Sequence, residues 1–217
     1  MESSERIIGV DESGKGDFFG PLVIAALAAD RVDVRRLSRI GARDSKLISG
    51  GRLLQIDGEL RAQFSHAVVI IHPKEYNQRY SEVKNLNRLL AWGHATAIER
   101  ILAKQSADQV ISDKFGKARL LEEQLLERGK KIRVSQIVRG EAVPQVAAAS
   151  VLARAAFIRE MNKLSERYGI VLPRGAASQV DEAGRRFVDL HGVSALAAVA
   201  KIHFKNYQRV VNPRLFT

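Results

Sequence analysis

The stretch Ile7–Val23 (IIGVDESGKGDFFGPLV) constrains this chain more than any other part of it. It begins with a short apolar run typical of a buried strand, and that run ends in two adjacent carboxylates, Asp11 and Glu12. Three glycines and a proline follow before a second apolar run begins. The pattern predicts a β-hairpin with charge where the chain turns. Because neighbours in a strand point to opposite faces, the two acids can share a site only if the strand ends there.

A carboxylate at the end of a buried strand is costly unless something pairs with it, and a divalent metal or a lysine would serve. The chain as a whole is basic, with a net charge of +11. That charge favours a polyanionic partner, although a solvated basic surface without a partner is equally compatible with it. Acids gathered at strand ends in such a protein suggest a negative catalytic centre inside a positive field.

Composition excludes several classes of protein. The chain has no cysteine, which excludes disulfides, thiol catalysis and cysteine metal sites. Its 217 residues, 46% of them hydrophobic, are enough to bury a core. No apolar run approaches the length of a membrane span, and the N-terminal sequence MESSERIIGV lacks the features of a signal peptide. We therefore expect a cytoplasmic protein with no membrane partner.

Hydrophobic periodicity predicts alternating strands and helices after the hairpin. Helical spacing covers Leu86–Leu102 and Val143–Tyr168, and β-branched or alternating runs mark three further strands near His66–His72, Asp108–Ser112 and Lys131–Val138. This order predicts an α/β fold in which an antiparallel hairpin joins parallel crossovers, giving a central mixed five-stranded sheet flanked by helices. We expect a single domain over residues 1–217, with additional C-terminal helices from about residue 173 packed on it.

Acidic residues follow three of the predicted strands. Besides Asp11 and Glu12, Asp113 ends the fourth strand and Glu141 comes just after the fifth. The carboxyl ends of parallel strands meet at one edge of a sheet, where ligands bind in open α/β folds. Four carboxylates at short range need cations, and oxygen ligands favour Mg²⁺ or Mn²⁺ over Zn²⁺. Two such ions could support phosphodiester hydrolysis. Each acid alone is also compatible with a turn or a helix cap.

Other polar segments are less specific. Gly14-Lys15-Gly16 would let the backbone approach a sugar or phosphate, but it is also compatible with a tight hairpin carrying a solvent-exposed lysine. Asp44-Ser45-Lys46 is a second polar loop, and Asn85 and Asn87 could cap a helix or bind a nucleic-acid backbone. Four histidines show no metal-ligand spacing and are predicted to be structural or surface residues: His72, His94, His191 and His203.

Taken together, these segments resemble the type 2 ribonucleases H, and ribonuclease HIII more than ribonuclease HII. Gly9–Leu22 (GVDESGKGDFFGPL) looks like the opening motif of that family, with Gly-Lys-Gly where HII usually has Gly-Arg-Gly. Further similar segments follow in the family's order: Asp44-Ser45-Lys46, Asn85 through His94, Ser112 through Phe115, Gly140-Glu141, Ala147 through Arg154, Leu172 through Ala176, and Lys201 through Phe204.

The resemblance implies an RNase H-like fold and cleavage of the RNA strand of RNA–DNA hybrids to 5′-phosphate and 3′-hydroxyl products, with Mg²⁺ as cofactor and Mn²⁺ as a possible substitute. No protein partner is implied. The four acids of the family map onto Asp11, Glu12, Asp113 and Glu141. Residues expected at the substrate by the same resemblance are Gly14, Lys15, Gly16, Ser45, Lys46, Asn85, Asn87 and Ser150.

One departure from the family pattern concerns the N-terminus. Ribonuclease HIII typically carries an N-terminal TBP-like domain, and the position of Asp11 leads us to expect that domain to be missing here. Two alternatives stay open at this point. One is an HII-like incision at single ribonucleotides in duplex DNA, and the other is a non-catalytic nucleic-acid-binding module whose acids are structural.

Overall fold

The computed structural model describes residues 5–42, 45 and 48–212. Its sheet contains five strands in the order β3-β2-β1-β4-β5. Their bounds are β1 Ile7–Ser13, β2 Leu22–Ala29, β3 Ser65–Ile71, β4 Gln109–Asp113 and β5 Arg133–Ile137. β1 runs antiparallel to β2 and parallel to β4, and β4 runs parallel to β5. The predicted mixed five-stranded sheet is thus confirmed.

Nine α-helices are found in the described residues. They are α1 Arg31–Ile40, α2 Gly50–Gln63, α3 Pro73–Val83, α4 Leu86–Leu102, α5 Ala118–Glu122, α6 Pro144–Tyr168, α7 Ser178–His191, α8 Val193–Leu196 and α9 Lys205–Val211. One-turn 3₁₀ helices span Gly129–Lys131 and Gly140–Ala142. None of the helices in this part of the chain is both long and apolar enough to span a membrane.

Cα packing divides the chain into two compact units. The first comprises β1, Val23–Val69 and Asn85–Ala156, and it contains the predicted carboxylates. The second comprises Gly14–Leu22, Ile70–Lys84 and the chain from Phe157 onward, and it contains the glycine stretch. The single domain over residues 1–217 stays a prediction.

Within the first unit, the two faces of β1 serve different helices. A Cβ atom on Gly9 would lie 2.1 Å from the backbone of Gln145, so only glycine allows the start of α6 to approach this strand. Gly9 and Asp11 share that face, because side chains alternate along a strand. The other face carries Val10 and Glu12 and lies toward α4, as the hydrogen bond between Glu12 and the α4 residue His94 shows.

β1 is longer than its apolar run suggested. It continues through Glu12 to Ser13, and Asp11 and Glu12 pair with Ala25 and Ile24 of β2. The expectation that the strand ends at the acid pair is therefore wrong. The physical reason is that β2 supplies hydrogen-bond partners along the whole of β1, whereas the pairing with β4 ends at Val10↔Ser112.

Candidate active site

The carboxyl ends of β1 and β4 bring two predicted acids together. The last parallel pair is Val10↔Ser112, so Asp11 and Asp113 follow it on adjacent strands and point to the same face of the sheet. Both carboxylates are partly buried. Their negative charges interact, and this interaction contributes to the raised pKa of Asp11.

Asp11 has a strongly raised pKa. Burial, followed by the charge of Glu12, raises its pKa from 3.8 to about 7, although hydrogen bonds from the Glu12 amide and the Ser150 hydroxyl act in the opposite direction. The Glu12 N–H donates to Asp11 Oδ1 at 2.8 Å. Two neighbouring carboxylates repel each other when both are ionised. Such repulsion is expected at a cation site before the cation binds.

Ser150 connects Asp11 to a second buried serine. The hydroxyls of Ser45 and Ser150 lie 2.7 Å apart, and Ser45 is 3% exposed. When Asp11 is ionised and accepts the Ser150 hydroxyl proton, the Ser45 hydroxyl is the donor to Ser150. Ser45 therefore supports Asp11 through Ser150, while its predicted contact with a phosphate stays a prediction. Asp44 and Lys46 lie outside the described residues.

Glu12 is held on the opposite face by His94 of α4. His94 Nε2 lies 3.1 Å from Glu12 Oε2, and the histidine side chain is fully buried. The Ser112 hydroxyl lies 3.2 Å from His94 Nδ1, and the Phe115 ring packs 4.5 Å from the imidazole. The sequence predicts only a structural or surface position for His94. Its place in the apolar stripe of α4 was the signal that it is buried and needs a polar partner.

The fourth predicted acid lies on a turn attached to β4. The Gly140 N–H donates to Asp113 Oδ1 at 2.9 Å, and a Cβ atom on Gly140 would lie 3.0 Å from the Asp113 Cα. Arg139 precedes it in the left-handed conformation, with φ of 58°. Because Gly140 bonds to Asp113, the turn keeps the backbone of the next residue, Glu141, near Asp113. The Glu141 side chain is exposed.

These residues fit a hard divalent cation in their chemistry, because the donors are carboxylate oxygens. They also carry mutually destabilising charge that a cation would relieve, as the pKa of Asp11 shows. However, among residues 5–42, 45 and 48–212, no three acidic, histidine or cysteine side chains lie in an arrangement that could hold a metal ion. Glu12 is directed toward His94 on the other face of β1, and the Glu141 side chain is exposed.

The glycine stretch in the second unit contains two different kinds of glycine. Gly14 has φ of 87°, and a Cβ atom there would lie 2.2 Å from the Pro21 carbonyl oxygen. Gly16 is exposed, and a Cβ atom there would meet nothing within 4 Å. Folding therefore requires glycine at position 14 but leaves position 16 free to serve another purpose. Lys15 lies between them and is partly buried.

The backbone after this stretch is fixed by two later segments of the chain. The Gly175 N–H donates to Asp17 Oδ1 at 2.6 Å, and the Phe18 N–H donates to the Gly175 carbonyl at 2.9 Å. The buried Lys201 ammonium donates to the Asp17 and Gly20 carbonyls at 2.8 and 2.7 Å. Burial lowers the pKa of Lys201 to about 7. The glycine stretch is thus held by contacts that leave Gly16 exposed.

The two predicted asparagines have different surroundings. The Asn85 side chain accepts a hydrogen bond from the Arg88 N–H, so it caps α4, as the capping alternative predicted. Asn87 lies beside Gly116, where an added Cβ atom would be 3.3 Å from its amide. Asn87 also lines a surface cleft next to the end of β4.

Comparison with known proteins identifies the class. The family model described as ribonuclease HII matches residues 8–207, and the chain belongs to this family. The chain is 41% identical over 206 residues to ribonuclease HIII of Chlamydia caviae, covering 94% of this chain and 69% of that protein. It is 38% identical over 204 residues to ribonuclease HIII of Protochlamydia amoebophila, with 94% and 68% covered.

Solved structures agree with this assignment. The crystal structure of Bst-RNase HIII in complex with Mn²⁺ superposes with a TM-score of 0.89 at 31% identity, covering 99% of this chain and 72% of that one. The RNase H-like fold and the resemblance to ribonuclease HIII are therefore confirmed, and the chain is a ribonuclease H. This identification argues against the alternative that the chain is a non-catalytic nucleic-acid-binding module.

Proposed function

We propose that this enzyme cleaves the RNA strand of RNA–DNA hybrids endonucleolytically, leaving 5′-phosphate and 3′-hydroxyl ends. The observation that supports the proposal most strongly is the meeting of Asp11 and Asp113 at the carboxyl ends of β1 and β4. A basic protein gains nothing for nucleic-acid binding from such a cluster, because binding depends on neutralising phosphates. Catalysis explains it, since metal-dependent phosphodiester hydrolysis requires carboxylates.

Asp11, Glu12, Asp113 and Glu141 are the residues that would hold the divalent cations, with Mg²⁺ as the proposed cofactor and Mn²⁺ as a substitute. When bound, two such ions supply an activated water and charge stabilisation at the leaving 3′-oxygen. The chain's own contribution is positioning. Ser150 and the Glu12 amide orient Asp11, the Gly140 amide orients Asp113, and His94 holds Glu12 on the α4 side of the sheet.

The substrate is proposed to contact the glycine stretch and several polar residues. Gly16 would allow the RNA backbone to approach the main chain, with Gly14 shaping the turn and Lys15 adding a cation. A backbone that reaches the ribose 2′-hydroxyl can distinguish RNA from DNA. The remaining residues proposed for the substrate site are Ser45, Lys46, Asn85, Asn87 and Ser150. Of these, Ser45 also supports Asp11 through Ser150.

Substitution of Asp113 by Asn tests the catalytic proposal. We expect hybrid cleavage in Mg²⁺ to fall by at least about 100-fold, because an amide is a poorer metal ligand than a carboxylate. Near-native far-UV circular dichroism would show that the fold is kept. Glu127→Gln is the matched control, since Glu127 is an exposed acid on the same unit. Wild-type cleavage by Asp113→Asn would refute the proposed role.

The family match itself favours one alternative substrate, because its description is ribonuclease HII. An HII-like enzyme would incise a DNA duplex at a single embedded ribonucleotide. Comparing initial rates on that duplex and on a continuous hybrid of the same length separates the two activities. A faster rate on the single-ribonucleotide duplex would replace our proposal with the HII-like one. The cytoplasmic location stays a prediction.

A further inference from the structure

A cleft of about 780 Å³ opens beside the end of β4, and neither the acids nor the glycine stretch contributes to it. Its walls come from the segment following β4, from β5 and from the first turn of α4. The lining residues are Asn87, Lys114, Phe115, Gly116, Lys117, Ala118 and Gln136. Lys114 directly follows Asp113, so the cleft adjoins the carboxylate edge of the same unit.

Gln136, a residue of the cleft wall, has a side-chain amide without a hydrogen-bond partner in the part of the chain that the structure describes. It pairs with Ser112 across β4 and β5, which places it on the sheet face that carries the bond between Ser112 and His94. Both Nε2 and Oε1 of Gln136 are buried and have no hydrogen-bond partner among the described residues. Leaving a buried amide unsatisfied destabilises a fold, so such a group calls for an explanation. A ligand that offers both a donor and an acceptor would supply it.

The same cleft is electropositive. Lys114 and Lys117 are exposed on it, and none of the described residues that line it is acidic. α4 is 17 residues long, and Asn87 in its first turn lines the cleft. A helix amino terminus and two ammonium groups together favour an anion such as phosphate. The cleft therefore combines two exposed ammonium groups with a wall residue, Gln136, whose buried side-chain amide can both donate and accept.

A nucleotide carries both features, and we propose that this cleft binds one nucleotide of a strand of the duplex substrate. Lys114 and Lys117 contact its phosphate, and the Gln136 amide bonds to its base or sugar. The inference rests on the proposed function, because it takes the hybrid as the ligand. It adds a substrate site that includes Gln136 and both lysines.

Gln136→Met separates a binding role from a structural one. Removing a buried unsatisfied amide while keeping its length should raise the Tm of the free enzyme by about 2–4 °C. Loss of the proposed bonds should raise the Kd for a fluorescein-labelled hybrid about 10-fold. The anisotropy titration is run in EDTA, so the result does not depend on metal binding or cleavage. A hybrid Kd equal to that of the wild type would overturn the proposal.

Lys114→Gln and Lys117→Gln test the phosphate contact at exposed positions where folding is not at risk. Each should lower the slope of log K against log salt concentration by about 0.9. Lys130→Gln is the control, because Lys130 is exposed on the same unit but lies outside the cleft. Slopes that match the control would contradict the proposal.

A free nucleotide is the other source of this chemistry. If millimolar AMP raises the Tm of the wild type but not of Gln136→Met, the cleft binds a free nucleotide and our strand assignment is wrong. Failure of the proposed function gives a different pattern. In that case Asp113→Asn retains cleavage activity, whatever the cleft variants do to hybrid binding.

Discussion

Two alanine substitutions in the glycine stretch, Gly14→Ala and Gly16→Ala, should have opposite effects. At position 14 the backbone is left-handed, with φ of 87°, and the new methyl group would lie 2.2 Å from the Pro21 carbonyl oxygen. At position 16 the backbone is not left-handed and the methyl group would meet nothing within 4 Å. The two variants add the same atom to the same turn, so each serves as the control for the other.

The expected magnitudes follow from this geometry. A left-handed alanine costs about 1–2 kcal/mol, and overlap with a backbone atom adds about 1–3 kcal/mol, so Gly14→Ala should lose roughly 2–5 kcal/mol of unfolding free energy. Gly16→Ala should gain about 0.4–1 kcal/mol, because alanine reduces the conformational entropy of the unfolded chain. Hybrid binding should respond in the opposite way. A methyl group on Gly16 would keep the RNA backbone away and weaken binding about 10-fold.

Urea unfolding gives the stabilities, and anisotropy with a labelled hybrid in EDTA gives the affinities. Equal destabilisation of the two variants would refute the distinction between the glycines. An unchanged hybrid Kd for Gly16→Ala, together with its unchanged or raised stability, would refute the assignment of Gly16 to the substrate.

Three further predictions concern buried polar groups, each checked by urea unfolding. In EDTA the free energy of unfolding should fall as pH rises from about 4 to 7. The reason is that Asp11 has a pKa of about 7 in the folded enzyme and therefore binds its proton more tightly there than in the unfolded chain. Adding Mg²⁺, or substituting Asp11→Asn, should abolish this pH dependence. Between pH 7 and 9 the free energy of unfolding should instead rise. Folding lowers the pKa of Lys201 to about 7, so the unfolded chain binds more protons than the folded enzyme in this range. A similar rise in the Lys201→Met variant would contradict this cause. His94→Ala should lose roughly 3 kcal/mol of unfolding free energy by removing the buried contact between His94 and the Glu12 carboxylate. Additive effects of His94→Ala and Glu12→Gln would argue against this coupling.

Much of the fold could be predicted from the sequence because its elements have strong local signals. The periodicity of α4 gave its bounds, Leu86–Leu102, correctly. α1 was missed because its apolar residues are few, although Asp30 and Asp33 form a capping box that marks its start. Helical spacing in the sequence continues from Ala118 to Arg128, whereas α5 ends at Glu122. Helical pattern alone does not fix where a helix ends.

The site was predictable to the extent that strand ends determine it. Asp11 and Asp113 lie together because parallel pairing requires it, and that inference used only the order of the elements. The partners of the acids were not predictable in this way. The contact between Glu12 and His94 and the support of Asp11 by Ser150 depend on how α4 and α6 pack against the sheet. Likewise, a single glutamine in a strand gives no sign that its amide will find no partner among residues 5–42, 45 and 48–212, as is the case for Gln136.

The division of the acid pair between the two faces of β1 has a consequence for how the enzyme is made. Asp11 takes its orientation from α6 and Glu12 from α4, while Asp113 arrives with β4. These partners are all distant in sequence from the opening motif, and such non-local contacts form slowly because the intervening chain must first be closed into a loop. A nascent chain that has emerged only through its opening motif thus displays the acids without a catalytic centre. Catalytic competence should appear on the ribosome only after α6, the last of these elements, has been translated and packed on the sheet.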